Sequence, residues 1–442
     1  MTMSLPRTRS AASSRAVALW LVLLMVLTLI VPTSVVAADR STMDVRATYE
    51  ARAKLTWSAG RLDVWSRARI QNTSGHGIER IDFNLVPARI GNMKNLAVSV
   101  GGERVTPRVT GQTIKVPLGR TLADGDTVTI TTSYRAWFRP GTTGHDFLFS
   151  KQHRIMSGMR WIPWVSRQVK FQVQSHGDPF VTGVSPRVEV TLDSDVEVKW
   201  GTSGRRISTD GHKQTYLAEN VRDFNFTAAR DYKVRTGMSI DGKIKIKVFT
   251  RTISSSTIMT WAKKSLDYFT RKVGRYPYPT FVVSESSGAF AMESPAMVWL
   301  PANYATYRIP FVLSHEVAHQ WFYGIVGNDQ TTNPFLDEAM AEFLTRSMFG
   351  FRSSNCAKKR LDLSMYAYTP SCYYEQVYVQ GSSFLNKLRQ DMGSAKFWTV
   401  VRDFWHDRRY QIVTTKQLLD AFKARAGNWV LPRYRDRFPS LY

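Results

Sequence analysis

Two histidines and a glutamate form the pattern in this sequence with the clearest chemical meaning. His315, Glu316 and His319 lie in the stretch SHEVAHQWF, inside a run that is otherwise almost wholly apolar. Residues four apart share one face of a helix, so both imidazoles can reach one metal ion with Glu316 beside them. Burying such groups without partners is costly. The pattern therefore indicates a metal site or, alternatively, a buried polar network.

Glu338 favours the metal, because it supplies a third ligand. Asn333 and Pro334 predict a helix start, and Glu338 falls in the second turn of that helix. Two imidazoles and one carboxylate suit a single Zn²⁺ ion and leave a fourth position for water, as in catalytic zinc sites. Glu342, one turn further on, is either an acceptor that fixes the tautomer of a ligating imidazole or a surface carboxylate.

The elements that must position these residues fall into two regions, and the predicted fold class is α+β. Residues 39–236 show short alternating runs broken by Gly, Asp and Asn, which predict an antiparallel β domain. Its clearest strands are predicted over residues 47–57, 61–71, 127–134 and 187–192.

Residues 237–442 predict a second domain, with strands first and helices after. The predicted strands cover residues 243–250, 281–284 and 291–300. The predicted helices cover residues 254–273, 310–323, 334–349, 381–392, 396–407 and 415–426.

Residues 1–38 predict an export signal. Three arginines precede an apolar run over residues 17–31, and small side chains at 36–38 follow where a signal peptidase needs them. The apolar run is short for a membrane span of about 20 residues. We therefore expect cleavage after about Ala38 and a secreted or envelope-associated protein, with a retained N-terminal membrane anchor as the alternative.

The chain is basic, with a formal net charge of +25. An exported protein of this charge can associate with an anionic membrane or cell-wall surface. The alternative is generic surface charge, because Lys and Arg are spread along the chain. No nucleic-acid-binding motif is present, so no nucleic-acid partner is expected. The sequence specifies neither the oligomeric state nor a physiological substrate.

Two cysteines, Cys356 and Cys372, are too few for a disulfide scaffold. In an oxidising compartment we expect a bridge between them, close to the predicted metal site. Two free thiols are the alternative.

Several motifs together resemble the membrane alanyl aminopeptidase (gluzincin) family of zinc metallopeptidases. They are HEVAHQWF at 315–322, VGND at 326–329, FLDE at 335–338, VGRYPYP at 273–279, FAMES at 290–294 and YVQG at 378–381. The resemblance runs from about residue 41 to the end. It implies an N-terminal β saddle followed by a thermolysin-like, mainly helical catalytic domain, without the C-terminal helical domain of many members.

The resemblance also implies a role for each matching residue. Glu316 would be the general base, and Tyr378 would donate a hydrogen bond to the developing oxyanion. Glu293 would bind the free α-amine of a peptide, while Ala291 and Met292 would offer backbone hydrogen bonds. The implied function is hydrolysis of the N-terminal peptide bond by a zinc-activated water. Without the resemblance, Glu293 is a carboxylate near a strand and Tyr378 is one of 18 tyrosines.

The sequence departs from the family beside Glu293. The family typically has Gly three residues before this glutamate and Asn directly after it, where this chain has Phe290 and Ser294. A zinc endopeptidase on the same site is therefore the first alternative, although Glu293 argues against it. An inactive peptide-binding module comes next, but it should have lost part of the site. A structural envelope protein would not explain the metal ligands.

Overall fold

The computed structural model describes residues 44–90, 93–167 and 181–442. The predicted export signal, residues 1–38, lies outside this part of the chain. Within it, no helix is both long enough and apolar enough to cross a lipid bilayer.

The first region is β-rich, as predicted, because polar and apolar residues alternate along its strands. In the first strand, Tyr49, Ala51, Ala53 and Leu55 are buried and the residues between them are more exposed. The strands are β1 (Val45–Thr56), β2 (Arg61–Asn72), β3 (Ile78–Asn84), β4 (Lys94–Val100), β5 (Glu103–Val105), β6 (Arg108–Thr110), β7 (Thr113–Leu122), β8 (Thr127–Trp137), β9 (Phe149–Gln152), β10 (Ile155–Gly158), β11 (Trp164–Ser166), β12 (Val188–Ser194), β13 (Lys199–Thr202), β14 (Arg205–Asp210), β15 (Lys213–Ala218) and β16 (Phe226–Ala229). Short helices are α1 (Val86–Arg89) and a 3-10 turn at Asp146–Leu148.

These strands form one large sheet and two small ones. The eight-stranded sheet has the order β14-β15-β12-β1-β2-β8-β4-β5, and the four-stranded sheets have the orders β13-β16-β10-β9 and β11-β3-β7-β6. Most neighbours are antiparallel, but β1 and β12 are parallel, so the prediction of a purely antiparallel domain is wrong at this pair. A parallel pair needs a long connection, and here strands β2 to β11 lie between its two members along the chain.

The second region holds a five-stranded sheet with the order β17-β18-β19-β21-β20. The single strand predicted over residues 291–300 is wrong, because the chain turns back there and forms a hairpin. Pro295 and Ala296 make the turn, with Ala296 at a φ of 62°. The strands are β17 (Lys233–Met238), β18 (Lys245–Thr250), β19 (Thr280–Ser286), β20 (Met292–Ser294), β21 (Met297–Pro301), β22 (Gly327–Asn328) and β23 (Ile412–Val413).

Helices dominate the rest of the second region, as predicted. Ser254 caps the first long helix and accepts a hydrogen bond from the Thr257 amide. The predicted helix over 310–323 ends earlier, at Ala318. The helices are α2 (Ser255–Lys272), α3 (Ile309–Ala318), α4 (Met340–Phe349), α5 (Pro370–Tyr373), α6 (Gly381–Met392), α7 (Ser394–Asp407), α8 (Thr415–Ala426) and α9 (Leu431–Arg437), with 3-10 turns at Thr306–Arg308 and Asn428–Val430. Both regions belong to one compact unit, and a domain boundary near residue 236 stays a prediction.

Two π-helical segments, Phe335–Ala339 and Tyr374–Gln380, lead into α4 and α6. They pack against each other, and they carry Glu338 and Tyr378. Gly381 allows this close packing, because a Cβ added there would lie 2.6 Å from the Ala339 Cβ. A wider turn of this kind is frequent at functional sites.

Gly381→Ala should therefore separate the two segments. Because overpacking of a well-packed core costs about 1–3 kcal/mol, we expect the free energy of unfolding to fall by that amount in denaturant titrations. Gly141→Ala is the matched control, because a Cβ at Gly141 meets nothing within 4 Å. Equal stability of the two variants would contradict this account of the packing.

Candidate active site

The three predicted metal ligands converge on one point. Nε2 of His315 lies 3.3 Å from Oε2 of Glu338 and 3.2 Å from Nε2 of His319. Nε2 of His319 lies 3.4 Å from the same Oε2. A tetrahedral zinc ion with bonds of about 2.0–2.1 Å holds its ligand atoms about 3.3 Å apart. These three atoms form a triangle, hereafter the triangle, and its sides have the lengths that zinc requires.

The second nitrogen of each imidazole faces oxygen atoms that can only accept hydrogen bonds. Nδ1 of His319 lies 2.9 Å from Oδ1 of Asp337 and 3.1 Å from the carbonyl oxygen of Phe322. Nδ1 of His315 lies 3.0 Å from Oε2 of Glu342, although not at the angle of a good hydrogen bond. These partners favour a proton on each Nδ1. Both neutral rings then direct the Nε2 lone pair toward the Glu338 carboxylate, an arrangement that calls for a cation.

The electrostatics of the triangle also favour positive charge. Burial lowers the pKa of His315, but the nearby Glu338 and Glu342 carboxylates outweigh burial and raise the pKa to about 10. Burial raises the pKa of Glu338, but both imidazoles lower it well below its ordinary value. The carboxylates around the two rings thus attract a proton or a metal ion. This is a donor set that suits zinc.

Two buried carboxylates support the imidazoles from behind. Glu342, predicted as either a tautomer-fixing acceptor or a surface group, is buried and also pairs with Arg346, whose Nη2 lies 2.7 Å from Oε1. Asp337 holds His319 and was not predicted. Its only signal in the sequence was its place beside Glu338, and neighbours on a regular helix point in different directions.

Glu316 and Glu293 lie next to the triangle and close to each other. Both are 7% exposed, and one carboxylate oxygen of each lies within 4.8 Å of the other and of a His319 nitrogen. Burial raises the pKa of Glu316 to about 8, and the nearby Glu293 carboxylate adds to this shift. Among the residues that the structure describes, none donates a hydrogen bond to either carboxylate. Both carboxylates can therefore accept hydrogen bonds from a ligand, which would offset the cost of burying them.

Gln320 connects the strand of Glu293 to the metal-ligand helix. Its Nε2 donates to the carbonyl oxygen of Ser294 at 2.9 Å, and its Oε1 accepts from the Ala296 amide at 2.8 Å. Strand β20 lies at the edge of its sheet. Ala291 and Met292 are partly exposed there. This edge is the place where the family resemblance implies backbone hydrogen bonds to a peptide.

Ser294 is held by a buried network that the sequence did not predict. Its hydroxyl donates to Oδ1 of Asp223 at 2.6 Å and accepts from Nδ2 of Asn225 at 3.0 Å. The Ser203 hydroxyl lies 2.9 Å away, and Tyr323 donates to the other Asp223 oxygen. Asp223, Asn225 and Ser203 come from the β-rich region, so only the folded chain reveals their link to the site.

Tyr378 packs against His315. The two rings stack with centroids 5.5 Å apart and an interplanar angle of 18°. Burial raises the pKa of the Tyr378 hydroxyl well above its ordinary value, so the group remains a hydrogen-bond donor. The segment that precedes Tyr378 is cross-linked by a disulfide bond between Cys356 and Cys372, as expected from the sequence.

Glu338→Gln should weaken metal binding, because it replaces a charged ligand with a neutral amide. We expect the purified variant to bind Zn²⁺ at least about 10-fold more weakly in calorimetric titrations. Asp337→Asn should weaken it by about 10–100-fold through His319. Glu219→Gln, at an exposed glutamate, is the control. Wild-type affinity in both site variants would exclude a metal site at the triangle.

Ser294→Ala should destabilise the protein, because it removes the hydroxyl that pairs with the buried Oδ1 of Asp223 and with the side-chain amide of Asn225. The expected loss is about 1–3 kcal/mol in the free energy of unfolding, measured by denaturant titration. Ser208→Ala, at an exposed serine of β14, should change it by less than about 0.5 kcal/mol. Equal effects of the two substitutions would show that the network contributes little.

No protein-family profile matches this sequence, and no curated protein sequence matches it significantly. Solved structures do match its fold. The M1 zinc metallopeptidase from Deinococcus radiodurans aligns with a TM-score of 0.68 at 16% sequence identity, over 90% of this chain and 95% of that chain. A two-domain M1 zinc metallopeptidase variant bound to L-arginine aligns with a TM-score of 0.66 at 17% identity, over 87% and 91% of the two chains.

A third solved structure is an M1 zinc metallopeptidase variant from the same organism, bound to the substrate Tyr-Ser-Ala. It aligns with a TM-score of 0.68 at 17% identity, over 89% of this chain and 93% of that chain. These alignments cover both the β-rich and the helical region. The chain therefore has the α+β fold of the M1 zinc metallopeptidases.

Proposed function

We propose that this protein is a zinc aminopeptidase of the gluzincin family, which hydrolyses the N-terminal peptide bond of peptides. The observation that carries the proposal is the pair of buried carboxylates, Glu293 and Glu316, within 4.8 Å of each other and beside the triangle. One carboxylate can hold an ammonium group while the other accepts a proton. The fold shared with solved zinc metallopeptidases supports the same reaction class.

His315, His319 and Glu338 would hold the metal ion. Zinc bound there would act as a Lewis acid on the peptide carbonyl and lower the pKa of water from 15.7 to about 7. The choice of zinc over cobalt or manganese rests on the ligand types and on the size of the triangle.

Glu316 would be the general base. It takes a proton from the water whose oxygen attacks the carbonyl carbon, and it delivers that proton to the leaving nitrogen as the C–N bond breaks. Burial favours this role, because it raises the pKa of the Glu316 carboxyl group above its ordinary value and so strengthens its hold on a proton taken from water. Tyr378 would donate a hydrogen bond to the carbonyl oxygen as negative charge develops, which contributes about 3 kcal/mol for such a donor.

Glu293 would select peptides with a free N-terminus. A buried carboxylate without a protein donor gains most from a ligand that brings its own charge, and the α-ammonium group of a peptide does so. The edge strand β20, with Ala291 and Met292, would add backbone hydrogen bonds to an extended substrate. One solved neighbour of the same fold binds Tyr-Ser-Ala, which supports a peptide as the ligand.

We also propose that the protein is exported. The support is the predicted signal over residues 1–38 together with the disulfide bond between Cys356 and Cys372, because stable disulfides belong to oxidising compartments.

The test is hydrolysis of fluorogenic aminoacyl amides and of their N-acetylated forms. We expect cleavage of the free-amine substrates only, and a loss of kcat of about 10²–10⁴-fold in Glu316→Gln, since it removes the general base. Glu293→Gln should raise KM and reduce the preference for a free amine. Glu219→Gln should behave as wild type.

The other outcomes separate the alternatives. Cleavage of acetylated peptides would overturn the aminopeptidase and indicate a zinc endopeptidase. Zinc binding without cleavage of any substrate in the series would indicate a peptide-binding module.

A further inference from the structure

A groove of about 930 Å³ lies between the two regions of the chain, away from the candidate active site. One wall comes from β13, β14 and β15, and the other from β17, β18 and β19. None of the proposed metal ligands, catalytic residues or substrate-binding residues lines it. We call this feature the basic groove, because its lining is rich in lysine and arginine.

The charge of the basic groove is strongly one-sided. Five lysines and arginines line it against one acid, Glu197, whereas the whole chain has 60 lysines and arginines against 35 acids. Among the described residues, no carboxylate lies within ion-pair distance of any of the five. By comparison, two arginines of the large sheet outside the groove are paired, Arg67 with Glu50 and Arg135 with Asp63. The five cations are Lys199, Arg205, Arg206, Lys245 and Lys247.

The cations also crowd one another. Lys247 is partly buried, and burial together with the nearby Arg206 and Lys245 lowers the pKa of its ammonium group. Like charges held close without counter-charges destabilise the folded protein. A bound anion would remove this repulsion, so the groove has a physical reason to bind one.

The floor of the groove indicates what kind of anion fits. Buried apolar side chains lie there, including Trp200, Tyr216 and Phe249, and Val234 is 45% exposed at the rim. An extended peptide presents side chains on alternate sides, with about 7 Å between residues on one side. Its acids can then face the cations while its apolar side chains face the floor. A phosphate polymer would use the cations but leave the apolar floor unused.

We propose that the basic groove binds an extended acidic peptide segment in which apolar residues alternate with glutamate or aspartate. The partner is thus a protein with an exposed acidic strand or tail. This inference does not depend on the proposed peptidase activity, because no residue of the groove belongs to the site.

Fluorescence anisotropy with the full chain tests the proposal. The probe is a fluorescein-labelled peptide with four Glu-Val repeats, blocked at both ends so that an aminopeptidase cannot shorten it. We expect saturable binding that weakens as NaCl is raised, since it depends on charge. Arg206→Glu with Lys247→Glu should weaken it at least about 10-fold, and the milder pair Arg206→Gln with Lys247→Gln should weaken it less.

The matched control is Arg46→Glu with Arg69→Glu, two exposed arginines on β1 and β2 outside the groove. It makes the same change in net charge and should alter the affinity by less than about 2-fold. Thermal melting of every variant establishes that it is folded, and the glutamine pair keeps the test valid if the charge-reversal pair does not fold.

Two results would overturn the proposal. The first is no binding of the Glu-Val peptide, and groove-dependent binding of inorganic polyphosphate in its place would identify a phosphate polymer as the ligand. The second is equal loss of affinity in the groove and control variants, which would reflect net charge alone. A Glu-Ser repeat that binds more weakly than the Glu-Val repeat would support the role of the apolar floor.

Discussion

The convergence of three electron-rich atoms is the constraint on which the site depends. Two imidazole nitrogens and a carboxylate oxygen lie within 3.4 Å of one another, and when both imidazoles are neutral their lone pairs repel those of the carboxylate. The fold maintains this arrangement from outside. Asp337 and Glu342 hold the imidazoles from behind, and the π-helical segment that carries Glu338 is packed against its neighbour at Gly381. Packing of the surrounding segments offsets the repulsion between the lone pairs. A bound cation would replace that repulsion with attraction, which would favour metal binding.

The β-rich region contributes to the site through hydrogen bonds as well as packing. Asp223 and Asn225 reach Ser294, the residue directly after Glu293. All three side chains are buried, and in a low-dielectric interior a fully satisfied network of this kind fixes geometry strongly. The position where the resembling family has asparagine is thus filled by a smaller side chain with three partners from elsewhere in the chain. The local chemistry differs, while the glutamate beside it keeps a defined place.

Much of this could be predicted from the sequence, and the rest could not for physical reasons. Helices α6 and α8 have the predicted bounds, because periodicity and caps are local signals. The spacing of His315 and His319 is equally local. The parallel pairing of β1 with β12, the role of Asp337 and the Asp223 network depend on contacts between residues far apart in the chain or on an irregular turn. The hairpin at residues 292–301 was missed because its first strand has only three residues, too few for an alternating pattern to mark where it ends.

Gln320 has a mechanical consequence. It follows His319 directly, and its side chain makes hydrogen bonds to two backbone atoms of the hairpin of Glu293, the Ser294 carbonyl oxygen and the Ala296 amide. The hairpin of Glu293 is therefore linked to the ligand His319 through one side chain, that of Gln320, and one peptide bond. A displacement of the hairpin would therefore have to break these two hydrogen bonds or move Gln320, whose neighbour in the chain is the ligand His319.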